Sequence, residues 1–356
     1  MPTIARDPID AMAQSQGTMV GIGLTMEVIY QNYIVYDLAL EMAWKKVPMI
    51  LKEWLPEFAH RRYNSKDRNL IAAWKVLGAS AYSVTKGFGG VTKSVVTLRP
   101  RWNIEAEGFM PTKIAYDDKA LIKSWQLFLS SINSIGHNDV FQHDLVVVTR
   151  QVLSDFILKA FIQLQEIYDR NDGPADDVCG QGNFILEIIL DLDRILATNT
   201  NFLVGIWTAD AKKLSKRIEN DNIVIGTKGG DYSDYYEYQA RNQITRWGDR
   251  GNNNSNVLND YAGKQWAGLV KGYYYPRWKI FMTEVCQSKS RHRSFDKEAI
   301  REKTEAFELE WQIKTTPTYA VNPVGHTCQL SSELYHKYGT KILFSAIQSS
   351  DLISIQ

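Results

Sequence analysis

The stretch TMVGIGLTMEVIYQN, residues 18–32, carries one charged side chain between Met19 and Tyr30, the carboxylate of Glu27. A charge set in an apolar run is costly unless it is paired or used. If TMVGIGL is a parallel barrel strand, Glu27 stands at its C-terminal end. That is the rim on which (β/α)8 enzymes carry their catalytic groups. The competing reading has Glu27 capping the next helix or pairing with a lysine.

A second group of residues surrounds the polar loop GDRGNNNSN at 248–256: Trp247 before it, and Asp260, Tyr261 and Lys264 after it. Aromatic rings beside such a loop suit a wall for a sugar, whose apolar faces stack on them. Alternatively Trp247 and Tyr261 are core residues, and Asp260 and Lys264 form a structural i,i+4 ion pair on one helix face. Asn253-Asn254-Ser255 is a formal glycosylation sequon.

Other chemistries lack their signatures. GIGLTM misses the third glycine of a dinucleotide fingerprint, and GGVTKS misses the Gly-Lys pair of a phosphate loop. The six histidines form no HExxH, and no G-x-S-x-G is present. Cys179, Cys286 and Cys328 show neither CxxC nor zinc spacing, and their odd count argues against a fully paired disulfide framework. No cofactor and no metal are expected.

The elements that must position these residues are mostly helical. The chain has 356 residues, enough for one large domain or two smaller ones. Lys+Arg 41 against Asp+Glu 40 leaves a net charge of +1, which gives no pointer to nucleic acid. No apolar run is long enough to span a bilayer, and the N-terminal segment MPTIARDPIDAMAQSQG has no apolar core of a secretory signal.

After Glu27, NYIVYDLALEMAWKK puts Ile34, Val35, Leu38 and Met42 on one helix face, so the opening reads as strand, loop and helix. Such a strand needs neighbours for its hydrogen bonds. Residues 82–100 read as an irregular connection, and NIVIGTKGG at 222–230 as a short strand candidate. Helical spacing dominates elsewhere, including LNDYAGKQWAGLVKGYYYPRWKIFMTEVC. NDGPADDVCGQGN reads as a loop. The expected architecture is mainly α: residues 1–48 as the tail of an α/β domain, and 49–356 as an all-helical bundle domain.

Several long stretches together resemble one family. GTMVGIGLTMEVIYQNYIVYDLALEMAW is followed by FAHRRYNS, HDLVVVTRQVL and NFLVGIWTADAKK. Then come YQARNQITRWG, LNDYAGKQWAGLVKGYYYPRWKIF, FDK at 295–297 and GHTCQLSSELYHKY. In this order they resemble the α-N-acetylglucosaminidases, glycoside hydrolases that remove terminal α-linked N-acetylglucosamine and in animals act on heparan sulfate. The resemblance covers residues 17 to about 340.

The resemblance implies a small N-terminal α/β domain, a (β/α)8 barrel and an all-helical C-terminal domain, of which this chain corresponds to the last barrel unit and the helical domain. It implies that Glu27 is the nucleophile of a retaining hydrolase, and that Trp247 and Tyr261 belong to the helical-domain wall of the cleft. The general acid of the family lies in an Asn-Glu motif on an earlier strand, and this sequence contains no Asn-Glu pair. The fragment alone is therefore expected to be inactive. Val28 stands where the family usually has glycine, and residues 220–232 appear as extra length. The resemblance further implies a glycan partner, no nucleic acid, no membrane, a homo-oligomer as one possibility, and a lysosomal or secreted location. The alternative function is a non-catalytic helical module that binds sugar or protein.

Overall fold

The computed structural model describes residues 1–25, 32–85, 92–104, 110–170, 173–220, 232–248, 258–315 and 318–353. Helices build nearly all of the regular structure. Among the described residues the β pairing is an isolated parallel bridge, Leu203 to Ala267. The apolar segment before Glu27 finds no partner strand there and carries no regular structure over 18–25, with Val20 97% exposed. A strand without a neighbour has no acceptors for its amides. The mainly helical architecture read from the sequence is thus the one observed. Glu27 and Val28, the strand candidate at 222–230, residues 221–231 of the extra length, and the sequon lie outside the described residues.

The chain packs as two compact units. One comprises Met1–Phe88, Lys113–Val152 and Thr327–Gln356. It contains α1 (Asp7–Gln14), α2 (Tyr33–Met42), α3 (Leu51–Tyr63), α4 (Arg68–Ala79), α5 (Asp118–Ser130), the short α6 (Ile132–Ile135), the start of α7 (Asp139–Asp169), and the final helix α13 (Thr327–Ile353). Helix α4 starts where Asp67 accepts from the amides of Asn69 and Leu70, an N-cap that satisfies otherwise orphaned donors.

Two of the resembling stretches meet in this unit. Arg62 and Tyr63 of FAHRRY both donate to Asp144 of HDLVVVTRQ, and Trp74 donates to the Tyr63 hydroxyl at 2.9 Å. Burial pushes the Asp144 carboxyl up, but Arg62 and His143 outweigh it and hold the group below its ordinary range. Deeper in the unit, the fully buried Trp125 donates to Ser331, which also bonds Thr149.

The second unit comprises Gly89–Thr112 and Leu153–His326. It holds the rest of α7, then α8 (Ala175–Ala197), α9 (Val204–Asn220), α10 (Ser233–Ile244), α11 (Tyr275–Ser290) and α12 (Lys297–Ile313). Of the connection expected at 82–100, the described residues 82–85 and 92–100 are irregular apart from one 3-10 turn at Val95–Thr97, and 86–91 lie outside the described residues. Helix α8 buries Ile185, Ile188, Ile189, Leu192, Ile195 and Leu196 on a helical stripe. It begins at Ala175, so most of the expected loop at 171–183 is helix. Asp176 and Asp177 favour that start by facing the positive end of the helix dipole. Cys179 of α8 is disulfide-bonded to Cys286 of α11 across 107 residues of sequence, and Cys328 keeps its thiol. Trp102 packs among Phe161, Tyr168, Phe281 and Phe295.

One expected helix is shorter than its periodicity suggests. Residues 258–268 are turn and irregular chain, because Asp260, Gly263 and Gly268 take positive φ of 61°, 53° and 84°. A Cβ on Gly268 would come within 2.7 Å of the Tyr319 ring, so the glycine also permits a close approach. Helical structure resumes with a π-turn at Val270–Tyr274 that runs into α11.

Candidate functional site

Helix α10 ends at Ile244, and the chain beyond it makes a narrow neck. The amide of Asp260 donates to the Thr245 carbonyl at 2.9 Å, and that of Leu258 to the Trp247 carbonyl at 3.3 Å. Both sides of the neck are left-handed, with φ of 43° at Trp247 and 61° at Asp260. The neck brings the two expected wall residues together. The Trp247 and Tyr261 rings lie 5.5 Å apart, tilted by 52°, and Trp247 is 40% exposed. Trp247 is therefore not a core residue. A groove of about 700 Å³ runs from it between α9 and α10, lined by Trp207, Tyr236, Gln239, Asn242 and Gln243.

Beneath the neck sits a buried ionic network that the sequence reading did not single out. Arg277 of α11 donates to Asp260, to Glu308 of α12 and to the Thr97 carbonyl, at 2.8–3.1 Å. Arg99 donates its side chain to Glu308 and its amide to Asp260. Burial raises both acids; at Glu308 two guanidinium groups overcome it and the carboxyl falls below its usual range. At Asp260 burial prevails over Arg277, and the carboxyl is raised. Arg277 is itself held protonated against burial by the two carboxylates. The signal in the sequence was YYYPRW, whose arginine follows proline on a helix otherwise rich in aromatic residues, but its acceptors come from segments far away in the chain.

Asp260 and Lys264 do not form the expected i,i+4 pair. The chain between them is not helical, and both Asp260 oxygens already accept, Oδ1 from Arg277 and Oδ2 from Arg277 and the Arg99 amide. The Lys264 ammonium instead lies 5.5 Å from the Trp266 ring. Burial, then the charge of Lys93, push it down to about 8. Lys93 lies 5.2 Å over the Tyr261 ring and donates to the Tyr261 carbonyl. The described part of the site is a tilted aromatic wall with a cationic edge, fixed from below by Arg277. Glu27 lies outside the described residues.

Comparison with known proteins shows the class of domain to which this helical scaffold belongs. Residues 54–337 match the family profile of the alpha-N-acetylglucosaminidase (NAGLU) C-terminal domain, and residues 1–46 that of its tim-barrel domain. The human alpha-N-acetylglucosaminidase is 31% identical over 324 residues, 90% of this chain and 40% of the human protein. CpGH89 of Clostridium perfringens, solved with its substrate GlcNAc-alpha-1,4-galactose, superposes with a TM-score of 0.84 at 25% identity over 96% of this chain and 38% of that one. The family 89 glycoside hydrolase of the same organism, with 2-acetamido-1,2-dideoxynojirmycin, gives 0.82 at 25% identity over 95% and 37%. The chain belongs to the alpha-N-acetylglucosaminidase family of glycoside hydrolases. It spans about two fifths of the length of these relatives.

Proposed function

We propose that this chain is the C-terminal portion of a retaining exo-α-N-acetylglucosaminidase acting on heparan sulfate-like glycans. Residues 1–48 are the end of its barrel domain and 49–356 its helical domain. Glu27 is the nucleophile. Its carboxylate attacks the anomeric carbon as a second carboxyl group protonates the departing oxygen, and water then releases the sugar from the glycosyl-enzyme. In retaining enzymes the two groups stand about 5–5.5 Å apart. Trp247 and Tyr261 receive the sugar face. The observation that carries the reading is the Trp247–Tyr261 wall held across the loop neck, in a chain whose relatives in the solved structures bind N-acetylglucosamine-type ligands.

No Asn-Glu motif exists here to supply the acid, so the 356-residue chain alone is inactive. Loss of a general acid costs about 10²–10⁴ in rate, and an unassembled barrel site costs more. The Cys179–Cys286 bond suits an oxidising compartment and so favours a lysosomal or secreted location.

The test uses an antibody against the helical region on extracts of source cells. The expected native polypeptide is substantially heavier than 40.7 kDa and hydrolyses 4-nitrophenyl N-acetyl-α-D-glucosaminide, and Glu27→Gln removes that activity. A native species at 40.7 kDa overturns the reading in favour of a binding module.

A further inference from the structure

A cavity of about 530 Å³ opens in the second unit and shares no described lining residue with the groove at Trp247. We propose that it binds a small amphipathic anion, an aromatic carboxylate, with its rings inside and its charge at the mouth near Arg101 and Lys297. The volume falls within the range of roughly 300–1,000 Å³ that small-molecule sites occupy. This site stands independently of the sugar wall.

One side of the cavity is the start of α12. Lys297, Ile300, Arg301 and Thr304 are spaced by three and four residues and share one helix face. Trp102, Phe281 and Phe295 supply the aromatic lining. Their rings touch one another, with centroids 5.0–5.7 Å apart, and Trp102 and Phe295 are only half-buried. Half-covered rings on a concave surface suit a flat apolar guest, which meets them stacked or edge to face.

The polar groups of the lining are donors that the fold leaves over. Thr304 is 4% exposed, and its hydroxyl makes no hydrogen bond among the described residues. That hydroxyl is not sealed off from solvent, so it opens on the cavity that the residue lines. The Asn259 side-chain amide is likewise unpaired among the described residues. Nε1 of Trp102 is buried without an acceptor, a costly state for a donor. An oxygen-bearing guest satisfies these groups, the indole after the small side-chain shifts that are common on binding.

Charge selects an anion among such guests. Arg99 is engaged by Glu308, and Arg301 by Glu298 and Glu305. Arg101 and Lys297 are exposed and form no ion pair among the described residues. Asp260, the acid among the described lining residues, already accepts from Arg277 and Arg99. Two cations are therefore left over at the cavity, and a carboxylate balances them.

The test is isothermal titration calorimetry of the full 356-residue chain with 2-naphthoate, its neutral counterpart 2-naphthalenemethanol, and octanoate. Naphthoate is expected to bind with a dissociation constant on the order of 0.1 mM, ordinary for a ligand of its size. The alcohol should bind about 5- to 10-fold more weakly, and added salt should narrow the gap. Octanoate, which cannot stack, should also bind more weakly; octanoate as tight as naphthoate overturns the aromatic assignment. Arg101→Gln with Lys297→Gln, both at exposed positions, should erase the preference for the acid and leave the alcohol unchanged. Thr304→Val should weaken naphthoate about 3- to 10-fold. The place of binding is read from the Trp102 indole N–H resonance, assigned by its loss in Trp102→Phe, which should shift as naphthoate is added. Trp44→Glu, at an exposed apolar side chain of the other unit, should leave binding unchanged. Equal binding of acid and alcohol, or a preference that survives the double variant, overturns the anion site. No binding at all, or binding that leaves the indole resonance in place, overturns the cavity as a ligand site. Either failure leaves the hydrolase reading standing.

Discussion

Trp247 holds a backbone conformation that a large side chain adopts only at a cost. Left-handed φ costs a non-glycine residue about 1–2 kcal/mol, and here a tryptophan bears it while leaving much of its ring in water. The neck hydrogen bonds and the Arg277 grip on Asp260 hold the conformation in place. Strain of this kind is concentrated at functional sites, and the ring it displays is the one assigned to the sugar. Two substitutions separate the backbone from the ring. Trp247→Ala and Trp247→Gly both delete the aromatic contact, but only glycine relieves the φ. In urea denaturation the glycine variant is expected to be about 1 kcal/mol more stable than the alanine variant. Both should bind N-acetylglucosamine equally poorly. An alanine variant as stable as the glycine one would mean that the neck carries no strain.

At the scale of elements, the resembling stretches turn out to be largely joints between helices. Asp144 on α7 takes Arg62 and Tyr63 from the end of α3, and removing one partner of a buried charged pair typically costs about 3–5 kcal/mol. Because the folded Asp144 pKa is lowered, its contribution is present above the unfolded value. It is lost as pH falls through the folded one. Asp144→Asn should therefore destabilise strongly at pH 7, and the gap to the wild type should close in acid, below about pH 4. Thermal unfolding measured from pH 7 to pH 3 checks this; a gap independent of pH would place the stabilisation in packing.

The Cys179–Cys286 bond joins α8 to α11 in the same way, over a long loop. Mild reduction, or Cys179→Ser with Cys286→Ser, is expected to cost about 2–5 kcal/mol, read as a lower urea midpoint. Most helices were legible, because Ile185, Ile188, Ile189 and Leu192 repeat at helical spacing without any knowledge of their neighbours. The joints were not. Nothing local announces that Cys179 meets Cys286, or that Arg277 reaches Glu308. Residues 258–268 carried helical periodicity, yet Asp260 is drawn out of helix by an arginine 17 residues on. Trp247 and Tyr261 were legible as a pair because the polar stretch between them marks its own two ends and because the family resemblance covers both.

For the molecule as a whole, the unit that holds the N-terminal segment exposes several large apolar side chains. Val20, Leu40, Trp44, Val47 and Ile50 are all exposed, Trp44 to 87%, and Leu40 and Trp44 line one shallow depression. Large exposed apolar groups close in sequence mark a surface that a partner covers. In the proposed reading the remainder of the barrel is that partner, since residues 1–48 are its last unit. The chain expressed by itself should then bind a hydrophobic dye and associate in proportion to concentration, with Trp44→Glu and Val20→Lys lowering both effects while thermal stability stays within about 0.5 kcal/mol of the parent, as for other surface changes. Sedimentation of the chain and the two variants over a tenfold concentration range measures it. A chain that stays monomeric and dye-silent would show that these side chains need no cover. That outcome would favour a self-sufficient helical module over a portion of a larger hydrolase.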